Sequence, residues 1–301
     1  MKNSFPGYYP LTANELLTLF KNAKIALDAN ALLDLYKLPE TQANKVVKIL
    51  QNDNIKDRLW MPFDVAWLYH QEVNDVIMSE VGNVGSLRNH LLRSKELVAK
   101  AKGYPYLDED KSNRLNALVE EVNTFCYQQE NLLLEKLANC EIKSNLADLF
   151  SEKLGEAYDS AQLANIYEEG QKRYSKLIPP GYFGREYSDK RKHFHDLIVW
   201  KQLLAYGKKH STDIIFITGQ VRPDWYYVIN DESLSPRQEL INEFMQHTNK
   251  RYYSLGLSQF VEKCHDVYNL TIGGYDDLLS SLKDTNQYTS LQANVRLENN
   301  V

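Results

Sequence analysis

The segment from Asp213 to Thr218 constrains the fold more than any other part of this sequence. It reads Asp-Ile-Ile-Phe-Ile-Thr, a continuous apolar run with a polar residue at each end. A strand that is apolar on both sides is typical of a parallel sheet that helices cover on both faces. The run therefore predicts a central strand of a parallel α/β sheet, with its carboxyl end at Thr218.

Shorter strands and amphipathic helices alternate on both sides of a long polar region. A capping box of Thr12 and Glu15 precedes the first apolar run. Further strands are predicted at 24–28, 60–62 and 251–254, and helices at 32–36, 41–51, 64–80, 195–206 and 237–244. This alternation predicts an α/β fold with a mostly parallel sheet flanked by helices. Ligands of such sheets lie beyond the carboxyl ends of the strands.

The polar region from 84 to 175 is helical in pattern. Apolar residues recur there at spacings of three and four, in one stripe from Val84 to Ala101 and another from Leu115 to Leu132. Gly103-Tyr104-Pro105 separates the stripes, because proline cannot continue a helix. We therefore predict a long helical, coiled-coil-like insertion at 84–175, a discontinuous core at 1–83 and 176–285, and a polar tail at 286–301.

Charge and cysteine content limit the class of protein. The net charge of −5 gives no general attraction to nucleic acid, so a nucleic-acid enzyme would need a local basic patch. The three cysteines match no zinc or disulfide pattern. The sequence contains neither a signal-like N-terminal run nor an apolar stretch of about 18 residues. These features predict a cytoplasmic protein without a membrane span.

Asp28 is the first candidate for chemistry, because it ends the first predicted strand. Carboxylates that converge at strand ends can hold Mg²⁺ or Mn²⁺, which prefer hard oxygen ligands. Such ions orient a water molecule and stabilise the leaving oxygen in phosphodiester cleavage. A strand-ending aspartate also commonly caps the next helix. Position alone therefore leaves both roles of Asp28 open.

The sequence from Asp28 to Tyr36 resembles the first motif of bacterial PIN-like proteins, an aspartate, any residue, an asparagine and then a leucine-rich helix. Other segments resemble the same family in the same order: 5–9, 58–62, 176–182, 195–200, 216–218 with Asp224-Trp225, and 237–241. The resemblance covers nearly the whole chain outside the predicted insertion. It implies a PIN-like fold and an acidic cluster that binds Mg²⁺ or Mn²⁺ and cleaves RNA or single-stranded nucleic acid. It also implies a toxin or anti-phage role.

Individual residues carry this resemblance to different degrees. Asp28 matches the acid after the first strand. Asp196 matches the acid of a glycine-aspartate-leucine segment, although His195 replaces the glycine. Asp224 matches the aspartate before tryptophan, which the resemblance assigns more to the structure of the loop than to the metal.

Two departures from the family pattern weaken the expected metal site. Leu68 stands where the family usually has a glutamate, although Glu72 lies one helical turn later on the same face. After Thr218 the usual aspartates are replaced by Gly219 and Gln220, and a glutamine oxygen brings no charge to a cation. We therefore expect one ion rather than two. The predicted catalytic residues are Asp28, Asp196 and Glu72, and the predicted metal ligands are Asp28, Asp196 and Gln220.

Substrate contacts are expected on both sides of this site, at Asn30, Thr218, Arg185, Arg191 and Lys192. The stretch from Arg185 to Lys192 is the most basic in the chain and directly precedes Asp196. Basic side chains beside a metal site can hold phosphates, but a charge run can equally be a solvated face. His193 and His195 are interpreted as metal ligands, a general base or structural residues at a helix start.

Three functions stay open at this point. The first is a metal-dependent nuclease, most simply an endoribonuclease. The second is a catalytically inactive PIN-like protein that binds nucleic acid. The third is a protein-interaction module in which the helical insertion contacts a partner.

Overall fold

The computed structural model describes residues 1, 5–99, 107–183, 187–219, 222–229 and 232–284. The chain forms two compact units. The first comprises Met1–Gln71 and Asn145–Val301, and the second comprises Glu72–Ser144. The units thus divide at different residues from the predicted domains, since residues 145–175 belong to the first unit. The predicted tail at 286–301 lies outside the described residues.

A four-stranded parallel sheet forms the centre of the first unit, in the order β2–β1–β3–β6. In chain order the strands are β1 (Lys24–Leu27), β2 (Leu59–Trp60), β3 (Ile214–Thr218), β4 (Tyr226–Ile229), β5 (Glu232–Pro236) and β6 (Tyr252–Gly256). All five residues of β3 are buried. The parallel α/β sheet predicted from the apolar runs is therefore confirmed. The antiparallel pair β4–β5 was not predicted.

Helices make up most of the remaining described residues. In chain order the α-helices are α1 (Ala13–Asn22), α2 (Ala29–Leu33), α3 (Glu40–Leu50), α4 (Asp53–Lys56), α5 (Phe63–Ala99), α6 (Glu109–Ala138), α7 (Glu141–Phe150), α8 (Ser160–Tyr174), α9 (Lys190–His193), α10 (His195–His210), α11 (Gln238–Thr248) and α12 (Leu257–Tyr268). Residues 275–284 are also helical. The capping box predicted at the start of α1 is present. Within the described ranges, no helix has both the length and the apolar character needed to cross a bilayer.

Large aromatic side chains pack the helices of the first unit against the sheet. The ring of Trp200 on α10 lies 5.0 Å from that of Tyr252 on β6 and 6.1 Å from that of Phe244 on α11. Phe20 and Phe260 form a second pair at 5.9 Å. All of these side chains are almost fully buried. Burying one such side chain contributes roughly 1.5–3 kcal/mol, so these contacts fix the helices that carry the site.

Helix α5 is longer than the sequence predicts. It runs unbroken for 37 residues, so the predicted end near Glu80 is wrong. Gly82 and Gly85 lie inside this helix. A single glycine weakens a helix by about 1 kcal/mol and does not by itself end it. The predicted break at Gly103-Tyr104-Pro105 lies outside the described residues.

Helix α8 belongs to the first unit, although its polar pattern predicted that it is part of the insertion. Arg173 on α8 donates two hydrogen bonds of 2.8 Å to the Glu243 carboxylate on α11. Trp200 donates to the same carboxylate at 3.0 Å. The ring of Tyr167 stacks on Phe194 at 5.5 Å. These contacts attach α8 to the helices that precede and follow β3.

Candidate acidic site

Asp28 follows β1 directly and lies at the carboxyl end of the parallel sheet. It is the N-cap of α2, and its Oδ1 accepts a 2.8 Å hydrogen bond from the backbone of Ala29. Its Oδ2 accepts from the Asn30 side chain at 3.1 Å and from the Thr218 hydroxyl at 3.2 Å. Asn30 and Thr218, which were predicted to contact substrate, therefore orient the Asp28 carboxylate.

Asp196 lies in the first turn of α10 and forms an ion pair with Arg222. The Arg222 Nη2 donates to Asp196 Oδ2. Both side chains are about one-fifth exposed, at 22% for Arg222 and 20% for Asp196. The contact joins the helix before β3 to the loop that follows it.

Burial and neighbouring charges shift the pKa values of Asp28 and Asp196 in opposite directions. The pKa of Asp28 is raised, mainly by burial and also by the charge of Asp196, although the charge of His195 acts in the opposite direction. Burial also opposes ionisation of Asp196, but Arg222 and His195 together outweigh it and lower the pKa of that carboxyl. The two acids therefore differ in kind, because Asp196 carries a bound counter-ion and Asp28 is held mainly by neutral donors.

Asp224 is a third, fully buried acid in this region. Its Oδ2 accepts a 2.7 Å hydrogen bond from the backbone of Gly181. Its Oδ1 lies 3.4 Å from the Nε of Arg222. The pKa of Asp224 is raised by burial and by the charge of Asp196, and the charge of Arg222 counteracts both. The bond to Gly181 supports a structural role for Asp224 in the loop.

Asp34 is a further acid of this region, and it was not among the predicted site residues. It is buried on the one-turn 3₁₀ helix Asp34–Tyr36 and accepts a 2.7 Å bond from Lys37. Burial raises its pKa to about 6, Lys37 opposes the effect, and the charge of Asp28 adds to it. A Cβ atom at Gly219 would lie 2.3 Å from its Oδ2. Asp34 therefore places a carboxylate beside the position where the family pattern has an acid.

A buried polar network around Asp64 fixes the start of α10. Asp64 lies in the first turn of α5 with no exposed surface. Its carboxylate accepts from Arg191 Nε at 2.7 Å and from Gln202 Nε2 at 3.0 Å. Its main-chain oxygen lies 3.1 Å from Nε2 of His195. Because His195 directly precedes Asp196, this network constrains the backbone of the first turn of α10, which carries Asp196.

The basic residues and histidines predicted near the site have structural contacts where they are described. Arg191 pairs with Asp64, and its guanidinium lies 4.6 Å from the ring centroid of Trp67. Lys192 follows Arg191 on the short helix α9 and is half-buried. His193 packs edge-on against Phe194 with ring centroids 4.5 Å apart.

Three further residues were predicted for the site, and Leu68 was named as a departure from the family pattern. Arg185 and Gln220 are outside the described residues. Glu72 is on α5 and is the first residue of the second unit, so its participation is still a prediction. Leu68 is buried and brings no carboxylate. Among the described residues, no group of three or more His, Cys, Asp or Glu side chains is arranged to hold a metal ion.

Fold and site together define a parallel α/β domain with buried acids at the carboxyl end of its strands. A family described as "PIN like domain" matches residues 24–240 of the chain. The match covers more than half of the 301 residues. The chain therefore belongs to the PIN-like domain family, as the motifs around Asp28 and Asp196 indicated. Neither a curated protein nor a solved structure gives a significant match.

Sequence reasoning missed Arg222, Asp34 and Asp64 as parts of the site. Asp34 lies inside the quoted motif, six residues after Asp28, but its burial and its closeness to Gly219 are visible only in the folded chain. Arg222 lies two residues before Asp224. The available signal was that Arg222 is the one Lys or Arg between Thr218 and Asp224, but its partner Asp196 is 26 residues away in sequence.

Proposed function

We propose that the chain is a metal-dependent nuclease that cleaves RNA or single-stranded nucleic acid, with Asp28 and Asp196 holding one Mg²⁺ or Mn²⁺ ion. The supporting observation is geometric: at the carboxyl end of the parallel sheet, Asp28 accepts a hydrogen bond from Thr218 at the end of β3, and Asp196 pairs with Arg222 in the loop that follows β3. The PIN-like family supports the nuclease class. A cytoplasmic toxin or anti-phage role is part of the proposal, and predicts that expression arrests growth only while Asp28 is intact.

The donor chemistry fits one divalent ion better than two. Mg²⁺ is commonly held by one or two carboxylates, with water completing its coordination. Burial and the charge of Asp196 destabilise the ionised form of Asp28, so a shared cation would favour ionisation of Asp28, whereas the pKa of Asp196 is already lowered. Since no larger metal-binding cluster is found in the described ranges, further ligands would come from water or from Gln220. Glu72 is retained as a candidate catalytic residue.

The protein's own part in this chemistry is to hold the two carboxylates in place. Ala29, Asn30 and Thr218 fix both oxygens of Asp28. The network around Asp64 fixes the first turn of α10, and with it Asp196. A bound ion supplies electrostatic stabilisation of the charge that develops on a phosphodiester during cleavage. Preorganised ligands of this kind lose little free energy in reorganisation during the reaction.

The test is cleavage of fluorescently labelled RNA and single-stranded DNA in the presence of Mg²⁺ or Mn²⁺. We expect Asp28→Asn and Asp196→Asn each to lower the rate by at least about a hundredfold, the scale of a lost electrostatic catalytic group. Asp53→Asn is the matched control, because Asp53 is an 89% exposed acid that pairs with Lys56 outside the site. Cleavage that survives Asp28→Asn, or no cleavage by the wild-type protein with any metal, would refute the proposal.

The second candidate is an inactive PIN-like protein that binds nucleic acid. The ion pair between Arg222 and Asp196 favours it, because one of the two carboxylates already has a cation. This alternative predicts binding whose affinity falls steeply with salt concentration, without cleavage under any metal condition.

The third candidate, a protein-interaction module, is favoured by the surface of α6. Leu118, Phe125 and Leu132 recur every seven residues on this helix and are 57%, 58% and 51% exposed. Exposed apolar stripes of this kind mark interaction surfaces. Serine at all three positions would abolish a partner complex on this account, and would leave the first unit folded.

A further inference from the structure

Arg222 is a cation held among carboxylates at the end of β3. Its Nη2 donates to Asp196, and its Nε lies 3.4 Å from Asp224 Oδ1. Its charge also lowers the pKa of Asp28. The guanidinium thus supplies positive charge to the same acids that we propose as metal ligands.

The backbone holds Arg222 in this place. Its carbonyl oxygen accepts hydrogen bonds from the backbone of Trp225 at 3.0 Å and of Tyr226 at 2.9 Å. Trp225, Tyr226 and Asp224 are all buried, at 4%, 2% and 0% exposure. The turn that carries Arg222 is therefore anchored at its base. An arginine on an anchored turn loses less conformational entropy in forming an ion pair than a long side chain on a mobile surface segment.

We infer that Arg222 is the resident counter-ion of the acidic site, and that a divalent metal ion binds by displacing the guanidinium from Asp196. This inference rests on the proposed function, since it assumes that Asp28 and Asp196 are the ligands. A guanidinium and a metal ion compete for the same Asp196 oxygen and repel each other. Asp224 retains the displaced side chain near the site through its remaining contact.

In this exchange Arg222 competes with the metal ion for Asp196. A residue that only supports the fold would not compete. Removing a structural arginine would loosen the ligands and weaken metal affinity. Removing a competing cation strengthens metal affinity, because the ion no longer has to break the pair with Asp196. The two roles therefore predict opposite signs for one measurement.

Isothermal titration calorimetry with Mn²⁺ on the full chain measures this sign. We expect Arg222→Gln to bind Mn²⁺ at least about tenfold more tightly than the wild-type protein. Arg251→Gln is the charge-matched control, because Arg251 pairs with Glu15 on the surface and lies near the opposite end of the sheet. Its affinity should equal that of the wild type. Equal or weaker Mn²⁺ binding by Arg222→Gln overturns the inference.

A second measurement covers the case in which Arg222→Gln does not fold. In the ¹⁵N-labelled wild-type protein, the Arg222 side-chain Nε–H signal is assigned by its loss in Arg222→Lys. We expect Mg²⁺ to shift this signal as it binds, and a signal that stays unchanged at saturation overturns the inference. If these tests fail while cleavage still requires Asp28, only the counter-ion role is lost. If the wild-type protein neither binds metal nor cleaves, the proposed function fails too.

Discussion

Gly219 sets how closely the end of β3 approaches α2, and a larger residue at this position is expected to destabilise the fold. A Cβ atom at this position would lie 2.7 Å from the carbonyl carbon of Asn30 and 2.8 Å from its oxygen. It would also lie 2.3 Å from Oδ2 of Asp34. The Asn30 contacts are with backbone, so no side-chain rotation relieves them. Gly219→Ala therefore has to displace the start of α2, which Asp28 caps.

Forced overpacking of this kind costs typically about 1–3 kcal/mol. We expect Gly219→Ala to lower the free energy of unfolding by that amount, measured by urea denaturation with circular dichroism. Gly273→Ala is the control, because a Cβ there meets no atom within 4 Å. Gly219→Asp, which restores an acid of the family pattern, should be at least as destabilised and should not bind metal more tightly. A Gly219→Ala protein as stable as the Gly273→Ala protein would refute the reasoning.

Two further predictions concern buried carboxylates. The pKa of Asp34 rises from 3.8 to about 6 on folding, so the folded state binds this proton more tightly than the unfolded chain. Its contribution to stability is present below pH 4 and is lost as the pH rises through 6, by about 3 kcal/mol in total. Asp34→Asn should remove this part of the pH dependence in urea denaturation between pH 4 and 7, and parallel profiles of variant and wild type would contradict it. Asp64→Asn leaves Arg191 without its buried anionic partner and should cost roughly 3–5 kcal/mol, measured by the same denaturation. The exposed Asp53→Asn substitution should cost almost nothing, and an equal loss in the two proteins would show that the Asp64 network does not fix α10.

The central strands could be predicted from the sequence because their signal is local. Lys24–Leu27 and Ile214–Thr218 are apolar runs bounded by polar residues, and burial on both faces leaves little choice of structure. The pair β4–β5 gave no such signal. Glu232–Pro236 contains serines and a proline, and lacks the alternation expected of a strand. Its pairing with Tyr226–Ile229 depends on contacts that the sequence pattern does not encode.

Only two acids of the candidate site, Asp28 and Asp196, were predicted from the sequence as metal ligands, whereas Asp34, Asp64 and the bonding partners were not. Asp28 and Asp196 follow from the family resemblance and from their positions at element ends. Their bonding partners depend on tertiary approach, which residue spacing does not reveal. Arg191 illustrates the difference. Its place in the basic stretch before Asp196 predicted a contact with phosphate, but its guanidinium pairs with Asp64.

The distribution of helices between the two units also required the structure. Helix α5 passes through the predicted boundary at residue 84 because nothing in that part of the sequence stops a helix. Helix α8 reads as part of the polar region, yet Arg173 binds Glu243 in the first unit. A polar helix can pack through a few buried ion pairs and aromatic contacts, and hydrophobic periodicity does not register these.

We propose that Asp28 and Asp196 share one divalent cation. Anomalous diffraction from crystals soaked in Mn²⁺ tests it most directly. We predict a single Mn²⁺ peak coordinated by one oxygen of each carboxylate, with the Arg222 guanidinium moved away from Asp196. A peak bound by only one of the two acids, or no peak between them at saturating Mn²⁺, would contradict the claim.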